Sequence, residues 1–491
     1  MGFSGCILFA NENDGPLLQI LIVMKKSLGC FLIVAGAFSA ITPCEVRAQE
    51  FFREFGTSRS SGGFGPVTPS EYSYQDGSPS GLQPLRPGQE LSPTEEAEEF
   101  DKYNFALGPV RFSLAAGLGV EWNDNINLSQ DNRESDFVFR PSLDLQASWR
   151  ISQLNTVRLG IGASYAKYLE HSNLDSNGVL ISPTSELAFT FVAGQVKITI
   201  RDRFSYQEDT YETPVLSNIS TYGRYENQAG IQFDWAMNPW FNTSAGFDHY
   251  NLWTTDSGFE TQDRAVETIF LKPSFQVTPT VKLGLSTAFS IVDFDSDDRA
   301  DGENFLVGPF VEWQFSEYTN LYLEAGFQSL TFDGGSDFNN AAIDDLGLNQ
   351  SDTAAVRNIL NDSEDSDTYY VKFEINNRPT EGFSHRLSGS KTSELGFGSN
   401  FYDLYHAEYN ADWKLHAGKI EMGPTFFYEH YKTSGDFGEK ANRFGAAVGV
   451  RYHFSNSITL GLDYRYIWKD SNLDNADYYQ NLAFLSIYYK F

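Results

Sequence analysis

Apolar and polar residues alternate one by one through most of the chain between Val110 and Phe491. In ITLGLDYRYIW (458–468) every second residue is apolar or aromatic, and most residues between them are small, polar or charged. The same alternation recurs in FVFRPSLDLQASW (137–149) and FGAAVGVRYHF (444–454). Because successive side chains of a strand point to opposite faces, these segments predict β-strands with one apolar and one polar face.

The length of these segments and the position of their aromatic residues favour a membrane location. Segments of roughly 10–15 residues are long for soluble sheets and suit strands that cross a bilayer at a tilt. Aromatic residues cluster at the segment ends, where the interfacial girdles of a membrane barrel lie. Composition agrees: aromatic residues make up 15% of the chain, while the mean hydropathy is only −0.35.

Short and long connections alternate along this region, which predicts the topology. The eight short connections are Ile151–Thr156, Ala193–Gln195, Met237–Pro239, Thr278–Thr280, Ser316–Asn320, Arg378–Gly382, His416–Lys419 and Ser455–Ser457. The nine long, Asp/Asn/Ser-rich connections are Asn123–Ser135, His171–Ser182, Glu208–Thr221, Thr254–Gln262, Asp295–Glu303, Gly334–Ser366, Glu394–Asn400, Thr433–Lys440 and Lys469–Asp477. Eight plus nine connections join eighteen strands, with sixteen as the nearest alternative.

The predicted fold is therefore all-β, a transmembrane antiparallel up-and-down β-barrel over residues 106–491. Short periplasmic turns and long extracellular loops are typical of bacterial outer-membrane barrels, so we expect the chain in the bacterial outer membrane. A β-propeller is the alternative suggested by the hairpin spacing of about forty residues. It would have connections of similar length after every strand, which this chain lacks.

The last predicted strand ends on aromatic residues, with Tyr489 and Phe491 on one face. This arrangement resembles the C-terminal signal that the barrel-assembly machinery reads. We therefore expect Tyr489 and Phe491 to serve as the assembly signal, with that machinery as a partner.

The first 48 residues predict a signal peptide with a misassigned upstream start. Met24 is followed by two lysines, Phe31–Ile41 is an apolar stretch, and the residues ending at Ala48 have the small-residue cleavage pattern. The true start is then near Met24. Residues 49–105 are Ser/Gly/Pro-rich and predict a disordered periplasmic segment, serving as a tether, a pore plug or a plain flexible tail.

Charge and cysteine content exclude several classes of function. All three cysteines precede residue 49, which removes disulfides, thiolate metal sites and cysteine nucleophiles from the predicted mature chain. The net charge of −30 disfavours nucleic-acid binding. The chain has no HExxH or GxSxG motif. The acidic run from Asp293 fails the EF-hand pattern at its sixth and twelfth positions, Asp298 and Asn304. We therefore expect no enzymatic activity, no cofactor and no metal site.

Charged residues fall on the polar face of the predicted strands and are candidates to line a pore. A charge facing lipid at mid-bilayer costs roughly 2–4 kcal/mol, so these side chains must face water or one another. The candidates are Arg140, Asp144, Arg158, Lys197, Arg201, Arg203, Arg224, Glu226, Glu312, Arg451, Asp463 and Arg465. The basic residues from Lys197 to Arg224 predict either a track for anions or polysaccharides, or ion pairs across strands with Glu226 and its neighbours. Asp202 falls on the apolar face and predicts a bulge there, or a strand that has left the membrane.

The longest connection, Gly334–Ser366, contains helix-compatible residues between Asn340 and Leu360. A loop longer than about 15 residues is usually functional or disordered. Two positions remain open for it: folded into the lumen as a constriction, or outside as an extracellular cap.

The stretch FSLAAGLGVEWNDNIN (Phe112–Asn127) resembles the opening strand and Asn-Asp-Asn loop of outer-membrane β-barrel porins of the "porin 2" type. The rest of the barrel matches that group only as a generic barrel. The resemblance implies a porin-like protein, and some members of the group accompany exopolysaccharide export systems. It implies no binding residue.

Three functions remain open at this point. The first is passive passage of small solutes or oligosaccharides, the second is export of an anionic exopolysaccharide, and the third is a structural or adhesive barrel with a plugged lumen. The expected partners are outer-membrane lipid, lipopolysaccharide, and a small solute or polysaccharide; nucleic acid is not expected. The sequence leaves the substrate and the oligomeric state open.

Overall fold

A computed structural model of the chain describes residues 103–152, 154–208, 210, 214–256, 258–334, 362–435 and 438–491. The predicted signal peptide, most of the 49–105 segment and the centre of the loop Gly334–Ser366 lie outside these residues, so those predictions stay predictions.

The described residues form twenty-one strands, most of them long. These are β1 (Phe105–Leu107), β2 (Val110–Asn123), β3 (Asp136–Arg150), β4 (Thr156–Ser164), β5 (Lys167–Tyr168), β6 (Leu180–Ile181), β7 (Glu186–Ala193), β8 (Val196–Gln207), β9 (Arg224–Asn238), β10 (Phe241–Thr254), β11 (Arg264–Thr278), β12 (Val281–Phe294), β13 (Gly302–Ser316), β14 (Thr319–Phe332), β15 (Ser366–Thr380), β16 (Phe383–Leu395), β17 (Phe401–Leu415), β18 (Ile420–Thr433), β19 (Lys440–His453), β20 (Ile458–Ser471) and β21 (Tyr478–Lys490). Two single-turn 3₁₀ helices, Ser172–Leu174 and Glu260–Gln262, lie in connections. Within the described ranges, no helix combines the length and the apolar composition needed to cross a bilayer.

The strands form one closed antiparallel barrel. Each long strand pairs with its neighbours in sequence, and β2 pairs with β21 from Ala115–Lys490 to Asn123–Leu482, which closes the sheet on itself. Toward the loop end, β5 pairs with β3 beyond the end of β4, and β6 pairs with β4 beyond the start of β7. β5 therefore extends the wall strand of β4, and β6 extends that of β7. Counting β4 with β5 and β6 with β7, the wall has eighteen strands, which confirms the preferred count.

The alternation of short and long connections is confirmed as well. All eight predicted short turns lie at one end of the barrel, and the strand ends joined by the nine long connections lie at the other. At the turn end, β1 pairs with the first residues of β2, and the backbone N–H of Phe491 donates to the Leu114 carbonyl. β1 and the chain terminus thus complete the seam between the last wall strand and the first.

The outward face is apolar and bounded by aromatic rings. Trp235 and Trp313 are exposed near the turn end, and Trp122, Trp253 and Trp468 are exposed near the loop end. Between these levels the outward residues are mainly Leu, Ile, Val and Phe. A closed barrel leaves no sheet edge unpaired, and an apolar band between aromatic girdles matches a lipid bilayer. The protein is thus a transmembrane barrel of the bacterial outer membrane.

Asp202 is the exception to the pattern of inward charges, and no bulge accounts for it. The pairing of β8 with β9 runs without a shift from Val196 to Gln207, so the predicted bulge is absent. Asp202 lies on the outward face, where Asn227 Nδ2 donates to its Oδ1 at 2.6 Å. A hydrogen-bonded partner on the next strand reduces the cost of its exposure to lipid.

On the inward face, glycines on one strand make room for aromatic rings on the next. A Cβ atom at Gly284 would overlap the ring of Phe310, and one at Gly445 would overlap the ring of Phe427. Both rings are almost completely buried. The alternation of small and large inward residues therefore lets the rings lie flat along the wall.

Candidate functional site

The connection between β8 and β9 folds across the loop end of the barrel. We call its residues 214–221 the strap. The strap starts beside the fifth and sixth wall strands, β8 and β9, but its hydrogen bonds reach β18 and β20, the fifteenth and seventeenth. In a ring of eighteen strands, the sixth and the fifteenth lie opposite each other. The strap therefore crosses the mouth of the barrel.

Two inward side chains hold the strap on the far wall. The hydroxyl of Tyr431, on β18, donates to the Pro214 carbonyl at 3.1 Å. The ammonium group of Lys469, on β20, donates to Ser217 Oγ at 2.8 Å and to the Val215 carbonyl at 3.4 Å. These contacts join residues more than 200 positions apart in sequence, so only the closed barrel brings them together.

The connection between β20 and β21 adds further contacts to the strap. Ser217 Oγ donates to the Ala476 carbonyl at 2.8 Å, and Asn218 Nδ2 donates to the Asn475 carbonyl at 2.7 Å. Asn218 also has a positive φ of 58°, a conformation that asparagine tolerates better than most residues. The strap is thus fixed by side-chain chemistry as well as by its backbone path.

Apolar packing supports the same arrangement. Leu216 is only 2% exposed, and Val215 packs against a buried cluster on the far wall. That cluster consists of Tyr402, Leu404, Tyr431 and Ala441. Burying one such side chain contributes roughly 1.5–3 kcal/mol, which offsets part of the entropy lost in ordering the loop.

The charged groups beneath the strap are buried in pairs. Lys469, with no exposed side-chain surface, lies 3.0 Å from Glu439 Oε1. Glu429 accepts from Arg443 Nε at 2.8 Å and lies 3.0 Å from His406 Nδ1. A buried charge without a partner would cost several kcal/mol, so each pair has to be preserved as a unit.

Other loops meet beside the strap through aromatic rings. The rings of Tyr222, Phe259 and Phe397 lie 5.2–5.5 Å apart in edge-to-face contacts and join three separate connections. Burial raises the pKa of Tyr222 to about 12. Arg299 stacks on Phe294 at 4.1 Å, and burial, together with the nearby Arg264, lowers the pKa of Arg299.

In each of two further loops, one aspartate carboxylate accepts several hydrogen bonds that hold the loop in place. Asp136 accepts hydrogen bonds from the backbone N–H groups of Leu169, Glu170 and His171. Asp362 accepts from the backbone N–H of Asn400 at 2.7 Å and from the hydroxyl of Ser434. The mouth is therefore a folded assembly of loops, held by contacts that alternation of residues along strands does not reveal.

All twelve candidate pore-lining residues lie on the inward face, and most of their charges are paired. The pairs are Arg140–Glu121, Arg201–Asp248, Arg203–Glu186, Arg224–Glu226, Lys282–Glu312 and Arg451–Asp463. Lys197 lies opposite Asp234 in the register of β8 and β9. Asp144, Arg158 and Arg465 complete the inward set without being brought to the strap. Within the basic row, Arg201 and Arg203 thus form ion pairs across strands, whereas Arg224 pairs with Glu226 on its own strand.

The two residues predicted to form the assembly signal lie where the alternation places them. Tyr489 and Phe491 are both about half exposed on the outward side, and their rings meet edge to face at 5.1 Å. Among the described residues, no group of three or more His, Cys, Asp or Glu side chains is placed to hold a metal ion.

Sequence reasoning missed the strap and an apolar cluster on the inward face. The cluster runs from β10 to β17 and includes Leu252, Val292, Leu306, Leu330 and Tyr370. A signal for the strap exists in the sequence, since Val215 and Leu216 stand out in a loop otherwise rich in polar residues. Apolar residues in a polar loop predict burial, but they do not indicate which surface buries them.

No family model matches the chain, and no curated protein matches it. Solved structures with similarity to it include the outer membrane protein OpdK from Pseudomonas aeruginosa, with 12% identity, a TM-score of 0.43, and coverage of 77% of this chain and 99% of that one. OccAB3 from Acinetobacter baumannii has 9% identity, a TM-score of 0.45, and coverage of 78% and 100%. A BenF-like porin from Pseudomonas fluorescens Pf-5 has 9% identity, a TM-score of 0.43, and coverage of 77% and 99%.

Proposed function

We propose that the protein is a porin-like channel for the passive passage of small solutes or oligosaccharides, narrowed at its outer mouth by the strap. The observation behind this proposal is a closed barrel of eighteen strands whose inward face carries charged and polar side chains. Barrels of 16–18 strands are wide enough to enclose an aqueous channel, whereas smaller ones fill with side chains. A water-facing interior is the environment that such side chains require.

The pairing of charges supports small or neutral solutes over an anionic polymer. An export track for an acidic polysaccharide needs a continuous row of basic groups that face the solute. Arg201, Arg203 and Arg224 each hold a carboxylate at 2.6–2.8 Å. Their positive potential is largely cancelled at short range, so we expect a channel with weak charge selectivity.

A plugged structural barrel is the second candidate, and one observation favours it. Lys469, Arg443 and Arg224 are inward side chains at the mouth, and each is at most 1% exposed. Side chains that line an open, water-filled lumen would be more accessible. The two candidates differ in whether a continuous path remains beside the strap.

Single-channel recording in planar bilayers tests the proposal. We expect discrete conductance steps from purified protein that begins at residue 49, with similar anion and cation permeability. A second protein lacking residues 49–105 examines the predicted plug, which would raise the conductance on its removal. If neither protein conducts, while both show the heat-dependent gel mobility of a folded barrel, the channel proposal is wrong and the plugged barrel stands.

A further inference from the structure

A cavity of about 110 Å³ lies inside the wall at the loop end of the barrel. Its walls are the inward faces of β2, β3, β4 and β21 and the end of β8, and it is covered by residues 165–183 together with Glu208, Thr210, Ser220 and Thr221. A core cavity of roughly 150 Å³ is known to hold a benzene-sized molecule. The space here is smaller but open on one side, so a six-membered ring can enter it with its outer hydroxyl groups left in solvent.

The lining is rich in hydroxyl and amide groups that are themselves buried. Ser164, Ser176, Ser182, Thr210 and Gln480 all line the cavity, and each is at most 9% exposed. The rings of two tyrosines, Tyr168 and Tyr206, also border it. Hydroxyl groups that both donate and accept, next to aromatic faces, match the alternating hydroxyl groups and C–H surfaces of a sugar ring.

The charges of the lining disfavour an anion. Glu121 and Glu208 face a single basic residue, Arg140, whose Nε already donates to Glu121 Oε2 at 2.7 Å. An added carboxylate or phosphate would meet two carboxylates and an arginine that is already engaged.

The carboxylates are engaged as well, which disfavours a cation. Glu208 accepts from the hydroxyl of Tyr206 and from the backbone N–H of Asn177. Glu121 is held by Arg140. A cationic solute would give up its hydration for Glu208 alone, whose Oε1 already accepts two hydrogen bonds, and desolvating a charge for one partly engaged carboxylate is costly.

One acceptor in the cavity has no hydrogen bond from the described residues. Gln480 Nε2 donates to the Asn125 carbonyl at 3.0 Å, while Gln480 Oε1 is buried and receives no hydrogen bond in the described part of the chain. A buried acceptor left unsatisfied costs roughly 1–3 kcal/mol, and a hydroxyl group of a bound solute would remove that cost.

We propose that this cavity binds one neutral, polyhydroxylated six-membered ring, such as a hexose unit, with a ring hydroxyl donating to Gln480 Oε1. The inference deepens the proposed function, on which it rests for its role in solute capture. Binding itself is independent of transport and can be measured without it.

Three forms of one sugar ring test the charge argument: D-glucose, sodium D-glucuronate and D-glucosamine hydrochloride. Their affinities for the full barrel are measured by ligand-observed NMR, in a detergent without a sugar headgroup. We expect glucose to bind at least about tenfold more tightly than either charged ring, which corresponds to about 1.4 kcal/mol. Tighter binding of glucuronate or glucosamine, or no binding of glucose, overturns the proposal.

Two variants locate the binding. Gln480→Met keeps the length of the side chain and removes the amide, so we expect a loss of roughly 2- to 10-fold in glucose affinity, the effect of one hydrogen bond. Gln228→Met is the matched control, since Gln228 is an inward glutamine on β9 outside the cavity. Ala166→Leu fills the cavity and should abolish binding while gel mobility reports the fold. Equal loss in Gln480→Met and Gln228→Met, or full binding in Ala166→Leu, contradicts the assignment.

Conductance separates this inference from the proposed function. A barrel that conducts ions but does not bind glucose refutes the sugar site and leaves the channel intact. A barrel that binds glucose but does not conduct refutes the channel and leaves the site intact.

Discussion

Two substitutions remove three of the hydrogen bonds that hold the strap across the mouth. Tyr431→Phe deletes the hydroxyl that donates to the Pro214 carbonyl. Ser217→Ala deletes the hydroxyl that accepts from Lys469 and donates to the Ala476 carbonyl. Both changes keep the size of the side chain nearly constant, and Lys469 keeps its ion pair with Glu439. The double variant therefore weakens the anchoring of the strap without leaving a buried charge unpaired.

The expected effect follows from the number of bonds. A neutral hydrogen bond contributes a net 0.5–1.5 kcal/mol, and one to a charged group about 1.5–3 kcal/mol. The two neutral bonds, one from Tyr431 and one from Ser217, and the bond from the charged Lys469 to Ser217 then sum to about 2.5–6 kcal/mol. At about 1.4 kcal/mol for each factor of ten, the equilibrium constant for detachment of the strap rises roughly 60- to 20,000-fold.

Single-channel recording measures that equilibrium directly. We expect the double variant to visit a state of larger conductance more often and for longer, and each single variant to show an intermediate effect. Because both residues hold one segment, a double-mutant cycle will show coupling between them.

A matched control makes the same chemical changes elsewhere. Tyr464→Phe and Ser329→Ala remove hydroxyl groups bonded to Asn481 and Asp367 on the outward side of the barrel. This control should leave the current unchanged. The reasoning fails if the strap variant and the control give the same current records, or if a barrel with residues 214–221 replaced by two glycines conducts like the unmodified one.

Three further predictions concern packing, assembly and pH. Gly445→Ala places a methyl group against the buried ring of Phe427 and should lower the free energy of unfolding by about 1–3 kcal/mol. In Gly160→Ala the nearest neighbour of the new methyl group would be 3.9 Å away, so the free energy of unfolding should change little. Urea unfolding followed by tryptophan fluorescence compares the two variants, and equal stability would contradict the packing argument. Phe491→Ala should reduce the amount of folded barrel in the outer membrane, as seen by immunoblotting of membrane fractions, and unchanged levels would remove this residue from the assembly signal. The folded-state pKa of Tyr222 is raised from 10.0 to about 12, so its contribution to loop stability is complete below pH 10 and is lost as the pH rises towards 12. Amide protection at the mouth, measured by hydrogen exchange relative to the intrinsic exchange rate at each pH, should therefore fall in that window, and Tyr222→Phe should abolish that fall.

The alternation of apolar and polar residues determined the wall of the barrel, because successive residues of a strand point to opposite faces. That local rule predicted the strands, the lipid-facing residues and the inward position of all twelve charged candidates, while the alternation of short and long connections predicted the count of eighteen. The local rule also predicted that charge belongs on the inward face, since charge that faces lipid is costly, and Asp202 is the exception.

The partners of those charges were decided only by the closed barrel. Arg201 pairs with Asp248, 47 residues away and two strands along the wall, and no local pattern marks that choice. The basic row therefore had two interpretations until register and neighbouring strands were known.

The arrangement of the loops at the mouth was decided almost entirely by tertiary structure. Strand pairing is set by adjacent segments, but the strap meets Tyr431 and Lys469 across distances of 217 and 252 residues in sequence. The cavity beside Gln480 likewise combines the last strand with the first three and two loops. Contacts between opposite walls exist only once the sheet has closed, because closure alone brings those side chains within hydrogen-bonding distance.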